Sequence, residues 1–349
     1  MSLSPEQILA LWLIKTLRSG TSNALSAKAI TIGTQESESR LVSSCQSMYA
    51  GDAKGKMILV EGDWGTGKSH LGTLLSGHLV NRKIPFIYTS IDARGASLAH
   101  VHRIVPTWLN HMQIGAAIGV RDLLYHDFIQ MSKIIQWASS NRGHFSQGLR
   151  MALNGNSFGW LIALGHYFKV PDCSYQHEKA LSLVFSCAEL LNFCGHGGLT
   201  LLFDEAENID KQFDIRGRKK SYDTLWQFVQ HPNIIPILFV TRRLHTQIAT
   251  DIELGRVHDW NNWTQNAKSF VLSFENFETL RPPRFTDQMA YSLIGKIENL
   301  YSTANGKALT KLATETILSY WKKTPTQTIR LLLRMTINEL DVLKQECLK

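Results

Sequence analysis

With 349 residues, 44% of them apolar, the chain has ample material for a folded core and about two domains. No apolar run approaches the roughly 18 residues of a membrane span, and the opening MSLSPEQILALWLIK has neither a basic start nor a small-residue cleavage site, so a soluble, cytoplasmic protein is expected. The five cysteines, at 45, 173, 187, 194 and 347, are odd in number and widely spaced, which disfavours a disulfide framework, while the net charge of +8 favours an acidic partner such as nucleic acid.

Ser4-Pro5-Glu6-Gln7 has the pattern of a helix start, with Ser4 as N-cap, Pro5 in the first turn and Gln7 closing a capping box. Leu9, Trp12, Leu13, Ile14 and Leu17 give that helix an apolar face until Ser19-Gly20 stops it. Residues 20–29 read as a loop, 29–33 as a short strand and 36–48 as a helix. Ile30 and Ile32 in this lead-in either cover an adenine ring or pack in the core.

The stretch Met57 to Leu71, MILVEGDWGTGKSHL, holds the strongest chemical signal. Ile58, Leu59 and Val60 form a buried-strand run, followed by Gly62-Asp63-Trp64-Gly65-Thr66-Gly67-Lys68-Ser69-His70 and a helix. The spacing Gly62, four residues, Gly67-Lys68-Ser69 is that of a phosphate-binding loop. Glycines at 62, 65 and 67 permit positive φ and let backbone N–H groups approach phosphate oxygens. Lys68 supplies an ammonium to the β- and γ-phosphates of ATP, and the Ser69 hydroxyl is a ligand for Mg²⁺. The start of the following helix adds its positive dipole end.

Ile84 to Asp92 reads as a second strand. From about 96 to 197 the chain is Leu-, Ala- and His-rich with helical spacing, broken at Asn141-Arg142-Gly143, Asn154-Gly155-Asn156 and Pro171-Asp172, and is expected to be a helical insertion without strands. Its histidines (100, 102, 111, 126, 144, 166 and 177) are scattered and predict packed or solvated imidazoles. Cys187, Cys194 and His196 lack the C-x-x-C spacing of a zinc site.

Leu199-Thr200-Leu201-Leu202-Phe203 is an apolar strand run that ends in Asp204-Glu205, placing two carboxylates at a strand tip. Asp204 suits water-mediated Mg²⁺ binding and Glu205 a general base for the attacking water. Asn233 to Thr241 predicts a further strand ending at Thr241, a position that resembles the one where ring-forming ATPases place a polar sensor of the γ-phosphate or the water. Arg242 and Arg243 are either a surface pair or a source of positive charge for a phosphate. Ser269 to Phe274 is expected to be the last strand. From Pro282 the pattern is helical, and Thr324-Pro325-Thr326-Gln327 starts a final helix with Arg330 and Arg334 one turn apart.

These features together resemble the AAA+ and related additional-strand ATPases, and more closely the BREX-type ATP-binding proteins of bacterial phage-defence clusters. The closer likeness rests on Leu17-Arg18-Ser19-Gly20, on Glu61 to Leu71, on Gly197-Gly198-Leu199 leading to Phe203-Asp204-Glu205-Ala206-Glu207, on Arg218 to Leu225, and on Arg330, Leu333-Arg334 and Leu340-Asp341. The resemblance implies an α/β P-loop fold with a parallel sheet of order 5-1-4-3-2. It implies an N-terminal lead-in over 1–29, an ATPase core over 30–280 and a helical lid over 281–349. Arg330 resembles the lid's sensor arginine, although Thr328-Ile329 stands where the family has Asn-Pro. The implied activity is Mg²⁺-dependent ATP hydrolysis as a switch in a multi-protein system associated with double-stranded DNA. Arg216, Arg218, Arg242 and Arg243 are candidates for an arginine finger between subunits of a homo- or hetero-oligomer. A DNA-binding loader or target-selecting ATPase, and a nucleotide-binding signalling module, are the alternatives.

Overall fold

The computed structural model describes residues 3–19, 24–47, 54–92, 97–123, 130–166, 173–211, 215–255, 260–306, 314–325 and 327–346. In chain order, α1 (Pro5–Ser19), α2 (Ala24–Ile30) and α3 (Gln35–Gln46) precede β1 (Ile58–Glu61), followed by α4 (Lys68–Arg82) and β2 (Phe86–Ser90). The section between β2 and the next long strand contains α5 (Val101–His111), a hairpin β3 (Gln113–Ile114) and β4 (Ala117–Ile118), α6 (Gly119–Leu123), α7 (Met131–Ser140), α8 (His144–Leu153), α9 (Ser157–Ala163) and α10 (Cys173–Phe193). There follow β5 (Leu199–Asp204), α11 (Ile215–Gln230), β6 (Ile234–Val240), α12 (Arg242–Leu254), α13 (Gln265–Ser273) and β7 (Glu278–Leu280). The chain ends in α14 (Asp287–Asn305), α15 (Thr314–Lys323) and α16 (Ile329–Glu346). No helix among the described residues is long and apolar enough to cross a membrane.

Two compact units form. One comprises Met1–Ser39, Gly62–Leu75 and Arg281–Lys349, the other Arg40–Glu61 and Ser76–Leu280. Each has its own apolar core.

The larger unit is a seven-stranded mixed sheet of order β4-β3-β2-β5-β6-β1-β7 with helices around it. This differs from the expected five-strand order, because the hairpin β3–β4 inside the insertion adds two antiparallel strands beyond β2. The five parallel strands, numbered among themselves in chain order, run fifth, first, fourth, third, second across the sheet. β5 and β6 are buried at every residue, as strands covered on both faces require. The two-residue strands of the hairpin are too short for a periodic signal, which is why the insertion reads as wholly helical from sequence.

Two other expected strands are helical. Residues 29–33 were expected as a strand, but Ile30 ends α2, where Ser26, Ala27 and Ile30 recur at helical spacing and are buried. Of the loop expected over 20–29, residues 24–29 also belong to α2, and 20–23 lie outside the described residues. The expected strand Ser269 to Phe274 is the end of α13 and a 3-10 turn. Its aromatic content suggests a strand, yet Ala267, Phe270, Val271 and Phe274 are the buried positions, a spacing of three and four, and Thr264 caps the helix by accepting from the Ala267 N–H. The last strand is instead Glu278–Leu280.

The smaller unit packs Ala10, Ile14 and Leu17 of α1 against Leu293, Ile297 and Tyr301 of α14 and Leu332, Ile337 and Leu340 of α16. The capping box closes in both directions: the Gln7 N–H donates to Ser4 Oγ and the Ser4 N–H to Gln7 Oε1. Leu9 and Trp12, expected on the apolar face, are 48% and 43% exposed, because Ala10 takes the inward position between Leu13 and Ile14. Arg18 and Asp341, at opposite ends of the chain, meet at 2.6 Å.

Arg218 to Leu225 is a structural segment of α11. The Arg218 guanidinium donates through Nε and Nη2 to both oxygens of Asp251, a fully buried carboxylate, and Tyr222 donates to the same group at 2.8 Å. Removing one partner of a buried pair leaves the other charge uncompensated. Arg218→Ala is therefore expected to lower unfolding stability by about 3–5 kcal/mol, read as a drop in the urea midpoint.

Candidate functional site

In the smaller unit, the chain passes from Gly62 through a tight loop into α4. Gly65 and Gly67 have φ of +79° and +95°. A Cβ on Gly65 would lie 2.6 Å from Cγ2 of Thr328, the residue that caps α16 by accepting from the Leu331 N–H. Gly62, also expected at positive φ, is not among the positive-φ glycines. Its missing side chain serves close approach, since a Cβ there would meet Thr66 Oγ1 at 2.5 Å. The Thr66 hydroxyl donates to the Asp63 carbonyl and closes the turn.

Lys68 is buried, and its ammonium folds back to donate to the carbonyls of Gly62 (2.7 Å) and Asp63 (3.0 Å), 5.8 Å from the centre of the Trp64 ring. Trp64 itself is 62% exposed, and Ser69 is exposed in the first turn of α4. His70 points to the lead-in: its Nε2 lies 3.1 Å from Thr31 Oγ1, which in turn donates to the Ala27 carbonyl. Thr31 Oγ1 therefore accepts from an Nε2–H, and burial pushes the His70 pKa down against the opposing pull of Glu38. Ile30 packs in the helical core, and Arg330 is exposed in the first turn of α16.

In the larger unit, β1, β2, β5 and β6 run parallel, so their tips share one edge of the sheet. Asp204 ends β5, opposite Ser90 at the end of β2. Tyr88 donates to one Asp204 oxygen at 3.0 Å, and the Glu205 N–H to the other at 2.9 Å. Glu205 has φ of +51°, a left-handed conformation that costs a non-glycine residue about 1 kcal/mol or more. Its carboxylate accepts from Asn208 Nδ2 at 3.2 Å and Ser90 Oγ at 3.5 Å, while Asn208 also donates to the Ile91 carbonyl. Tyr88, Ser90 and Asn208 thus hold the two carboxylates in position. Sequence reasoning missed them, although Asn208 lies one helical turn after Glu205, where such a contact is expected.

Thr241, directly after β6, is buried, and its hydroxyl has no hydrogen-bond partner among the described residues. Glu61, the last residue of β1, is ion-paired to Arg242 Nε at 3.2 Å and lies 3.3 Å from His245 Nε2. Arg243 is paired with the buried Asp210. Three of the four finger candidates, Arg218, Arg242 and Arg243, thus bind carboxylates of their own chain, whereas Arg216 is exposed in the first turn of α11.

Cys45, Cys187 and Cys194 are free thiols whose pKa values burial raises to about 12, 12 and 11, so they carry little thiolate near neutral pH. No group of His, Cys, Asp and Glu among the described residues is arranged to hold a metal ion by itself.

A glycine-rich loop between a parallel strand and a helix, in a chain whose sheet edge carries an acidic pair, is the makeup of a phosphate-binding α/β protein. The family model described as BREX system ATP-binding protein BrxC/D matches residues 172–347, just over half of the chain, and the chain belongs to that family. The matched stretch contains Asp204, Glu205, Thr241 and Arg330, and it begins after the loop Gly62–Ser69. No curated protein matches the chain.

Proposed function

We propose that the protein is a P-loop ATPase of the AAA+ type that binds ATP with Mg²⁺, hydrolyses it, and acts as a nucleotide-driven switch in a BREX-type phage-defence assembly. The observation that carries this reading is the buried, unpartnered Thr241 hydroxyl on the same sheet edge as Asp204 and Glu205. An unpaired buried hydroxyl costs about 1–3 kcal/mol, and a water or phosphate oxygen supplies the missing partner.

In this reading the backbone N–H groups of Gly62 to Ser69 hold the phosphates. Lys68 exchanges its two carbonyl partners for β- and γ-phosphate oxygens. Ser69, with Asp204 through water, would hold Mg²⁺, which supplies charge neutralisation on the phosphates. Glu205 takes the proton of the attacking water, held on target by Asn208 and Ser90, and Thr241 orients that water or the γ-phosphate. Arg330, which forms no ion pair among the described residues at the start of α16, contributes charge from the lid. The net charge of +8 supports association with duplex DNA.

The Thr241 role is tested by Thr241→Val. Loss of the hydroxyl is expected to lower the phosphate-release rate about tenfold with ATP affinity unchanged. Stability should stay level or rise, because an unpaired polar atom is removed. A drop in stability with unchanged turnover would contradict it. We assign the finger to Arg216, the candidate without a carboxylate partner among the described residues. Mixing Glu205→Gln with Arg216→Ala should restore the turnover that each lacks alone, since one supplies the finger and the other the intact base. No restoration would remove Arg216.

A further inference from the structure

The charges of the larger unit are unevenly spread. The whole chain carries 37 Lys and Arg against 29 Asp and Glu. Yet α5, α11 and α13 hold six basic residues, Arg103, Arg216, Arg218, Lys219, Lys220 and Lys268, against the single acid Asp223. Both oxygens of Asp223 accept from neutral donors, Thr264 Oγ1 and Gln227 Nε2, at 2.6 Å. The three helices are neighbours. On one side of α11, Tyr222 stacks on Phe270 of α13; on the other, Thr224 donates to the Leu98 carbonyl in the turn that leads into α5. Residues 222 and 224 are about 200° apart around the helix, so α11 lies between α13 and α5.

Of the six, Arg218 braces Asp251 and Arg216 serves the proposed finger. The other four form a strip that crosses all three helices. Lys268 Nζ lies 5.8 Å from the centre of the Trp260 ring, the rings of Trp260 and Trp263 are 5.3 Å apart, and Lys219 Nζ lies 5.3 Å from the Trp263 ring. Lys220 follows on α11, and Arg103 stands close enough that its charge and that of Lys220 act on the same two rings, His100 and His102. Arg103 is exposed, while the three lysines are half-buried, as stems laid along apolar surface with the charged head outward should be. Arg103, Lys220 and Lys268 form no ion pair among the described residues. The fold gains nothing from this placement, since α5 and α11 both begin with cations and have no acid in the first turn, against the helix dipole. A polyanion laid across the strip offsets that repulsion. Helix axes packed about 8–10 Å apart make the strip about 20 Å long, and a DNA duplex presents a phosphate charge every ~1.7 Å of its axis. Each of the four cations can therefore meet a phosphate of one rigid backbone.

We propose that Arg103, Lys219, Lys220 and Lys268, across α5, α11 and α13, are the surface that binds the phosphate backbone of duplex DNA. The inference rests on the DNA association within the proposed function and gives that association its residues; it does not require the loop at Gly62–Ser69 to hydrolyse ATP. The contacts are to phosphates, so they hold the duplex without reading its base sequence.

The experiment titrates the full chain into a fluorescein-labelled duplex of about 20 base pairs and reads its anisotropy between about 50 and 200 mM NaCl. Four phosphate contacts predict that log K falls with log[salt] at a slope of about −3 to −4, and that a second duplex of unrelated sequence binds equally well. Arg103→Gln, Lys220→Gln and Lys268→Gln should each weaken binding about tenfold at about 100 mM salt and make the slope shallower by about 0.9. Three separate variants keep the test intact if one of them does not fold. Lys15→Gln and Lys323→Gln, exposed in the smaller unit, should change neither quantity. Duplex binding that the three variants leave unchanged, or that the two controls weaken as much, would overturn this surface while DNA association stands. No duplex binding by the wild type would overturn both. Poly-glutamate that displaces the duplex at equal charge would overturn the proposal in favour of an acidic protein partner.

Discussion

Lys68→Ala should reduce ATP affinity by at least about 100-fold, or about 2.7 kcal/mol. The Lys68 ammonium is not idle: it holds the Gly62 and Asp63 carbonyls and neighbours the Trp64 ring. The substitution thus removes two contributions, the charge offered to the phosphates and the loop contacts that pre-shape the cradle. A charge-assisted hydrogen bond contributes about 1.5–3 kcal/mol, and more than one phosphate oxygen is served. Fluorescent-nucleotide titration measures the loss. Lys68→Arg should recover only part of it, because a planar fork fits poorly where a compact ammonium sits under two carbonyls. Wild-type affinity in Lys68→Ala would show that the loop does not hold the phosphates.

Glu205→Gln has a different signature. The amide has the same shape and its oxygen accepts the same Asn208 and Ser90 hydrogen bonds, so the left-handed backbone and the fold are expected to persist. ATP affinity should hold within a few-fold. Turnover should fall by about 10²–10⁴, the usual contribution of a general base. The strained φ at Glu205 adds a second expectation. Glu205→Gly relieves the backbone strain and should not destabilise the protein, yet it should be as inactive as Glu205→Gln.

The parts of this account that were legible in the sequence are those whose cause is local. The loop Gly62 to Ser69 and the apolar run ending at Asp204-Glu205 require particular residue types at fixed spacing, and the structure places each at a strand end. The capping box at Ser4 and Gln7 was legible for the same reason, since its partners are three residues apart. Features set by distant contacts were not. Residues 29–33 and 269–274 have β-branched or aromatic content, and only burial of one helical stripe decides between the two periods. The hairpin β3–β4 has two residues per strand and takes its pairing from the edge of β2.

The same distinction separates the arginines. Arg216, Arg218, Arg242 and Arg243 are equivalent by sequence, yet Asp251, Glu61 and Asp210, from 33 to 181 residues away, engage three of them. Tyr88 is likewise unremarkable in its strand, and only the pairing of β2 with β5 brings its hydroxyl to Asp204, 116 residues later. The Arg218–Leu225 segment is a structural brace: Arg218 and Tyr222 hold Asp251, and Asp223 accepts from Thr264.

The most direct measurement of the central claim is phosphate release and bound nucleotide determined on the same sample, for wild type and Glu205→Gln, with Mg²⁺ and then with EDTA. ATP hydrolysis at this site predicts Mg²⁺-dependent release in wild type, and retained, unhydrolysed ATP in Glu205→Gln. Equal release by the two proteins, or release that persists in EDTA, would contradict it.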